Sequence, residues 1–294
     1  MEDSIRKADI LIEALPYIQA FRGRVIVAKY GGSAIDNPAA MRGILQDLVF
    51  LSAVGIRAVL VHGGGPIITR KLSSEGKNTA FVDGMRVTDR ATVKVVSEAL
   101  EEVNHRLVEQ IKTVGGHAKG IVAKDRVVLA KPHPQSEQLG FVGLVERVQV
   151  EPIRELLEAH VIPVMSPIGS HDGQLYNINA DHVASEVAVQ LKAEKLVLLT
   201  NVRGILRHPN DDSSLLSTVS VRETTLLLER QVIQEGMIPK VQACVDALRE
   251  GVKKAHIIDA SVPHALLLEI FTKTGIGTEI VRQSESTHAG SVNG

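Results

Sequence analysis

Apolar runs of strand length recur along the chain and are separated by helical patterns. Five of them lack the alternation of a half-buried strand, and they read RVIVAKY, RAVLVHG, VIPVMSPI, KLVLLTN and KAHIIDA. Continuous apolar, β-branched runs of this kind are typical of strands buried on both faces of a parallel sheet. We therefore predict an α/β fold, built as a three-layer αβα sandwich with a mainly parallel central sheet.

The segments between these runs carry helix signals. The clearest helix is predicted at 39–54, because Asn37 and Pro38 precede it and Gly55 follows it as cap residues. Apolar periodicity predicts further helices at 66–75, 90–114, 152–160, 181–191, 221–229, 240–250 and 263–272.

Three segments depart from this alternation of strands and helices. Residues 119–150 contain two short apolar stretches around the polar PHPQSEQ, which predicts an antiparallel hairpin or lid beside the main sheet. Residues 1–22 predict an amphipathic helical arm. Residues 284–294 are polar and predict a flexible tail.

Composition excludes several classes of protein. A chain of 294 residues with 44% hydrophobic residues can bury a substantial core, and its net charge of −1 provides no field for nucleic acid or a membrane surface. Charged residues interrupt every apolar stretch before it reaches the length of a membrane span, so a cytoplasmic location is expected. The single cysteine, Cys244, has no internal disulfide partner, and its helical pattern favours core packing.

Two predicted strands end in glycine-rich turns. Lys29 precedes Gly31 and Gly32, and the second predicted strand runs into HGGGP, which contains Gly64 and Gly65. Ligands of open α/β sheets bind beyond the carboxyl ends of the strands, where glycines expose backbone N–H groups to anions. Tight turns that need positive φ remain an alternative, and neither sequence is a P-loop or a dinucleotide fingerprint.

Polar residues near three predicted helix starts add candidate chemistry. In YNINAD, the alternating Asn177, Asn179 and Asp181 exceed what a helix cap requires, although a cap is the simpler reading of one Asx residue. Arg86 suits two-pronged binding of a carboxylate. Lys240 opposes the dipole of its helix, which favours a bound anion nearby, unless it is a solvated surface lysine.

Taken in order, the motifs resemble those of the amino acid kinase family. They are KYGGSA, HGGGP, GMRVTD, GFVGLV, NINAD, LLTNVRGIL, GMIPKVQAC and HALLLEIFTKTGIGT. The resemblance implies the amino acid kinase fold, with an N-lobe at 23–170 that binds an acyl amino acid and a C-lobe at 171–283 that binds ATP. The implied reaction is ATP-dependent phosphorylation of the γ-carboxylate of N-acetyl-L-glutamate in arginine biosynthesis. Mg²⁺ would be held mainly by the phosphates.

The resemblance also implies roles for individual residues. Lys29 and Lys240 would stabilise charge on the transferring phosphoryl group, and Asp181 would orient both. The implied acceptor site comprises Gly64, Gly65, Arg86, Asn177 and Asn179. The implied nucleotide site comprises Gly31, Gly32, Asn201, Val202, Gly204, Ile205, Leu206, Val232, Ile233 and Gln234. Asn201 and Glu235 depart from the family's usual aspartate and small residue.

The N-terminal arm resembles that of the arginine-inhibited, hexameric members. This implies a homo-oligomer of dimers, feedback inhibition by arginine, and an effector site around Tyr17, His256, Glu269, Gly275 and Gly277. A helix packed on its own subunit is the alternative for the arm. A kinase for an aminoadipate derivative in lysine synthesis and a non-catalytic arginine sensor are the alternatives for function.

Overall fold

The computed structural model describes residues 1–208, 211–272 and 274–283. The strands are β1 Val25–Tyr30, β2 Arg57–His62, β3 Phe81–Val82, β4 Met85–Arg86, β5 Ala118–Ile121, β6 Val128–Pro132, β7 Val142–Val148, β8 Ile162–Met165, β9 Ile168–His171, β10 Gln174–Ile178, β11 Lys195–Thr200, β12 Thr218–Ser220, β13 Lys254–Asp259 and β14 Thr278–Val281. The helices are α1 Glu2–Phe21, α2 Pro38–Ala53, α3 Gly65–Ser74, α4 Arg90–Thr113, α5 Ser136–Leu139, α6 Glu151–Glu158, α7 Ala180–Gln190, α8 Val221–Glu229, α9 Ile238–Arg249 and α10 Ala265–Ile270.

Eight strands form the central sheet, in the order β12-β14-β13-β11-β1-β2-β8-β5. Neighbouring strands are parallel except β13 and β14, so the mainly parallel sheet is confirmed. Helices cover both faces: α2, α4 and α10 contribute to one hydrophobic core, and α7 and α9 contribute to the other. The predicted three-layer sandwich is therefore confirmed.

The middle of this sheet positions the residues after β1. Ile26, Ala28 and Tyr30 pack into the core with α2, whereas Val27 packs into the core with α7 and α9. Because side chains alternate along a strand, Lys29 lies on the same face as Val27. The lobes predicted at 23–170 and 171–283 share this sheet, since β1 pairs with β11. Their boundary stays a prediction.

The prediction of a hairpin at 119–150 was partly wrong. Its first stretch forms β5, which is an edge strand of the main sheet beside β8. Within 119–150 the antiparallel pair is β6 and β7, and these strands close into a four-stranded barrel with β9 and β10. The run VIPVMSPI also divides, because Pro167 has no N–H for a ladder and separates β8 from β9.

The predicted helices are all present, with bounds shifted by at most two residues. Residues 2–21 form helix α1, while their role as an arm stays a prediction. Cys244 is confirmed as a core residue, with none of its surface exposed, and burial raises the pKa of its thiol. Within the described residues, no helix is both long and apolar enough to cross a membrane. The predicted tail at 284–294 lies outside the described residues.

Candidate active site

Two glycine-rich loops touch each other beyond the carboxyl ends of β1 and β2. A Cβ placed on Gly31 would lie 3.1 Å from the Cα of Gly63 and 3.2 Å from Nζ of Lys29. A Cβ placed on Gly63 would lie 3.2 Å from the Cα of Gly31. These distances are shorter than most Cβ contacts, so a side chain at either position would require the facing backbone or the Lys29 side chain to shift.

Two buried charges, Lys29 and Asp181, and the half-buried Lys240 converge at this point. Asp181 lies in the first turn of α7, and its two carboxylate oxygens lie 2.9 Å from Nζ of Lys29 and 2.9 Å from Nζ of Lys240. Lys240 lies in the first turn of α9, which packs against α7. The fold therefore brings together the three residues that the resemblance assigned to catalysis.

The surroundings shift the pKa values of two members of this triad. Burial alone would raise the pKa of Asp181, but the charges of Lys29 and Lys240 hold it at about 2. Burial lowers the pKa of Lys29, and the charge of Lys240 adds to this effect, while Asp181 opposes it. An ionised aspartate beside two ammonium groups leaves a net charge of +1, which suits an anionic ligand.

A cavity of about 310 Å³ opens on one side of Lys29. Its lining includes Asp181 and all five residues that the family resemblance assigned to the acceptor site, namely Gly64, Gly65, Arg86, Asn177 and Asn179. Phe81, Met85, Leu100 and Pro167 also line it and were not predicted. Phe81 and Met85 flank the β3–β4 turn before Arg86, so the turn signal DG between them was the available clue.

Arg86 presents a buried guanidinium to this cavity. It donates hydrogen bonds to the hydroxyls of Thr79 and Thr69, at 2.9 Å and 2.8 Å, and its Cζ lies 4.8 Å from the ring centre of Phe81. No carboxylate among the described residues lies within ion-pair distance of it, and burial lowers its pKa. A buried cation with this environment is well placed to bind a ligand carboxylate.

The two asparagines differ in their contacts. Oδ1 of Asn179 accepts hydrogen bonds from the N–H groups of Asp181 and His182, at 2.8 Å and 3.4 Å, so it caps α7 while it also lines the cavity. The amide of Asn177 donates to the Thr88 hydroxyl at 3.2 Å. The cap interpretation and the binding interpretation of Asn179 are therefore compatible.

A second cavity, of about 490 Å³, opens on the other side of Lys29. It is lined by Lys240 and by five residues of the predicted nucleotide site: Gly31, Gly32, Asn201, Val202 and Gln234. Thr200, Glu235, Gly236 and Met237 complete the lining. Of these four, only Glu235 was singled out in the sequence. The other three lie within quoted family motifs but were assigned no role, because the shape of their loops brings them to the cavity.

The remaining predicted nucleotide residues do not line this cavity. Ile205 and Ile233 are buried in the hydrophobic core, and a side chain on Gly204 would collide with Thr278. Leu206 and Val232 are partly buried. The assignment of these five residues to the nucleotide site stays a prediction.

Four of the five predicted effector residues lie close together, and Tyr17 lies apart from them. Nδ1 of His256 lies 2.6 Å from the Glu269 carboxylate, which also accepts the N–H of Ile276 at 2.7 Å. A Cβ on Gly275 would lie 2.7 Å from that carboxylate, and one on Gly277 would lie 2.3 Å from the carbonyl oxygen of Ile257. Burial lowers the pKa of His256. Burial alone would raise the pKa of Glu269, but the contact with His256 holds that pKa below its ordinary value.

Tyr17 lies apart from these residues, in a cavity between α1 and α10 where its ring centre is 6.0 Å from that of Phe271. Lys195, at the start of β11, is buried and was not predicted. Burial lowers its pKa, while the charge of Glu269 acts in the opposite direction. A lysine at the head of the apolar run KLVLLT was the clue in the sequence.

The described residues contain no group of three or more His, Cys, Asp or Glu side chains placed to hold a metal ion.

Known proteins provide an independent comparison. Residues 24–259 match the model of the amino acid kinase family. The chain is 46% identical over 293 residues to an acetylglutamate kinase of Synechococcus sp. (strain JA-2-3B'a(2-13)), which covers 99% of this chain and 94% of that protein. It is 47% identical over 283 residues to an acetylglutamate kinase of Syntrophomonas wolfei subsp. wolfei, with 95% and 99% covered.

Solved structures share the fold. An N-acetylglutamate synthase from Neisseria gonorrhoeae, complexed with coenzyme A and N-acetyl-glutamate, superposes with a TM-score of 0.83 at 29% identity, over 93% of this chain and 63% of that one. The chain thus spans less than two thirds of that protein. A carbamate kinase from Giardia lamblia superposes with a TM-score of 0.67 at 16% identity, over 89% of this chain and 99% of that one, which shows the fold alone. The chain belongs to the amino acid kinase family.

Proposed function

We propose that this protein transfers the γ-phosphoryl group of ATP to the γ-carboxylate of N-acetyl-L-glutamate, a step of arginine biosynthesis. One observation carries the proposal: the buried Lys29, paired with Asp181, lines both cavities and so stands where an acceptor and a nucleotide meet. The relatives named acetylglutamate kinase, at 46% and 47% identity, support this choice of acceptor.

The chemistry follows from charge and position. A carboxylate oxygen of the acceptor forms a bond to the γ-phosphorus of ATP, the bond to the bridging oxygen breaks, and its electron pair leaves with ADP. Phosphoryl transfer requires positioning and charge neutralisation above all, and a carboxylate is already a nucleophile at neutral pH. Lys29 and Lys240 supply the positive charge, and Asp181 fixes both ammonium groups. Mg²⁺ enters as part of the MgATP substrate.

The two cavities supply the binding contacts. Arg86 would pair with a carboxylate of the acceptor, and the amide of Asn177 and the backbone of Gly64 and Gly65 would contact its polar groups. The nucleotide would lie against Gly31, Gly32, Asn201, Val202 and Gln234. Five residues that do not line the nucleotide cavity would support its walls: Gly204, Ile205, Leu206, Val232 and Ile233.

Acyl-phosphate formation tests the proposal. The product is trapped as a hydroxamate with MgATP and a panel of N-acetyl-L-glutamate, N-acetyl-aminoadipate, glutamate and aspartate. Preference for N-acetyl-L-glutamate is expected. Preference for the aminoadipate derivative would keep the chemistry and overturn the acceptor. ATP binding without turnover of any acceptor would overturn the proposed activity and favour a non-catalytic arginine sensor.

We also propose that arginine inhibits the enzyme at the cluster of His256, Glu269, Gly275 and Gly277, with Tyr17 of the arm, which lies apart from this cluster, as a further effector residue. The carboxylate of Glu269 suits a guanidinium, and a structural neighbour is an N-acetylglutamate synthase complexed with coenzyme A and L-arginine. Arginine titration of the wild type should lower the rate, and Glu269→Gln should weaken this inhibition. A flat titration of the wild type would contradict the proposal.

The arm supports a homo-oligomer, with dimers joined into a hexamer. Ile5, Ile10, Leu11, Ile12 and Leu15 of α1 are exposed apolar residues, which a partner subunit would cover. The molar mass from light scattering should fall to that of a dimer when residues 2–21 are removed, and an unchanged mass would contradict this assembly. The cytoplasmic location stays a prediction.

A further inference from the structure

His62 lies directly beneath the triglycine loop and has no part in the chemistry described above. It is the last residue of β2 and is fully buried. Its Nδ1 lies 2.9 Å from the carbonyl oxygen of Gly63, and its Nε2 lies 3.1 Å from Nδ2 of Asn104 and 3.2 Å from the hydroxyl of Ser166. Three elements, β2, α4 and the turn after β8, thus meet at one imidazole.

The contacts of Asn104 determine which imidazole nitrogen carries the proton. Nδ2 of Asn104 lies 2.8 Å from the carbonyl oxygen of Val164, which can only accept, so the amide nitrogen must face it. The other hydrogen of the same nitrogen points to His62, whose Nε2 must then accept. Nδ1 therefore carries the proton and donates it to the Gly63 carbonyl. Burial lowers the pKa of His62 to about 4, which keeps the ring neutral.

This donor fixes the orientation of a peptide group in the site. The carbonyl of Gly63 and the N–H of Gly64 belong to one peptide plane and point in opposite directions. Holding the carbonyl toward His62 therefore directs the Gly64 N–H away from His62, and Gly64 lines the acceptor cavity. Among the described residues, no acceptor is bonded to that N–H. Gly63 is also held from its own N–H, which donates to the carbonyl of Tyr30 at 2.8 Å.

We propose that His62 is a positioning residue for phosphoryl transfer: its Nδ1–H holds the Gly63 carbonyl so that the Gly64 N–H donates to the anionic group that reacts beside Lys29. The proposal rests on the proposed function. In this proposal the buried Asn104 and Ser166 both donate to Nε2 of His62. Nε2 therefore stays unprotonated, and the proton of the neutral ring stays on Nδ1.

Two amide substitutions separate the nitrogens of His62. The side-chain nitrogen of asparagine can take the place of Nδ1, whereas that of glutamine takes the place of Nε2. His62→Asn should therefore keep kcat within about threefold of the wild type, and His62→Gln should lower kcat by about 10-fold to 10²-fold, since a small misplacement has effects of that size. The KM for ATP should stay unchanged in both, because His62 does not line the nucleotide cavity.

Equal kcat losses in the two variants, or a larger loss in His62→Asn, would overturn the proposal. If His62→Gln does not fold, Asn104→Asp replaces it: a carboxylate facing Nε2 draws the proton there and leaves Nδ1 to repel the Gly63 carbonyl. A loss of about tenfold in kcat is expected well below the melting temperature of the variant, which should itself fall because the buried Val164 carbonyl loses its donor. Unchanged kcat would overturn the proposal.

A second readout does not depend on turnover. Hydrogen exchange of residues 63–68, followed by mass spectrometry, should be faster in His62→Gln than in His62→Asn, because the glutamine variant releases the loop. Identical exchange would overturn the positioning role. Failure of the proposed function would instead leave the wild type inactive while this difference in exchange persists.

Discussion

At the centre of the site, two lysines share one buried carboxylate, and each lysine faces the nucleotide cavity. Lys29→Ala and Lys240→Ala should each lower kcat about 10²-fold to 10³-fold, because each removes a charge that stabilises the transferring phosphoryl group. The measurement is hydroxamate formation with saturating MgATP. Lys77→Ala is the matched control, since Lys77 pairs with Glu75 at the surface. A wild-type rate in either site variant would contradict the assignment.

The triad also predicts the pH dependence of the reaction. The pKa of Lys29 lies below the ordinary lysine value of 10.5, so Lys29 loses its proton at a lower pH than a surface lysine. Turnover should therefore fall on the alkaline side before ordinary lysines titrate. Lys29→Arg should move that fall to higher pH in whatever activity remains, because arginine stays protonated. A fall at the same pH in both proteins would show that another group causes it.

Asp181 affects the protein at acidic pH, whereas Lys29 affects it at alkaline pH. Its folded pKa of about 2 lies below the ordinary 3.8, so its ion pairs stabilise the fold above the unfolded value, and this stability is lost as pH falls through about 2. Asp181 stays ionised across neutral pH. It therefore causes no fall in turnover between neutral and mildly acidic pH.

The residues of the site were unequally visible in the sequence. Lys29 and the glycines stood out because they end predicted strands. The contact of Asp181 with Lys29 and Lys240 could not be read from spacing, since the three residues are far apart in the chain, and it entered through the family resemblance. Met237 and Thr200 lie within quoted family motifs but were assigned no role, because ordinary residue types reach the cavity only through the fold of their loops.

At the scale of elements, β5 and α4 pack closely because residue 120 is glycine. A Cβ on Gly120 would lie 2.1 Å from Oδ1 of Asn104, so Gly120→Ala must displace Asn104 from the Val164 carbonyl. The free energy of unfolding should fall by about 1–3 kcal/mol, the cost of buried polar groups left without partners. Urea unfolding at one protein concentration measures it.

Gly43→Ala is the control for this substitution. Gly43 lies inside α2, where a Cβ would meet its nearest neighbour at an ordinary 3.7 Å. The alanine should leave stability unchanged or raise it by roughly 0.5–1 kcal/mol, since glycine weakens helix interiors. Equal losses at positions 43 and 120 would show that the contact with Asn104 is not the cause.

Elements buried on both faces were the easiest to predict. β1, β2, β11 and β13 form long apolar runs, and the capped helices between them have clear ends. β5, β9 and β10 are short strands whose partners are chosen by tertiary contacts, so no local pattern indicated that one joins the sheet and two close a barrel. Predicting such pairings needs the three-dimensional packing that the strands themselves create.

At the scale of the whole molecule, the two cavities should bind their ligands separately although they meet at Lys29. N-acetyl-L-glutamate and MgADP should each raise the melting temperature, by an amount equivalent to about 2.7 kcal/mol at a hundredfold excess over Kd. Arg86→Ala should abolish the effect of N-acetyl-L-glutamate and keep that of MgADP, because Arg86 lines one cavity only. Loss of both effects would contradict separate sites.

The contact between Gly31 and Gly63 limits how this site can evolve. A Cβ on Gly31 would lie 3.1 Å from the backbone of Gly63, and a Cβ on Gly63 would lie 3.2 Å from that of Gly31. A substitution at one position cannot be suppressed at the other, because that partner is already the smallest residue. A substitution at either position must therefore be accommodated by a shift of the facing backbone, and a saturation library should recover no compensating pair between the two positions.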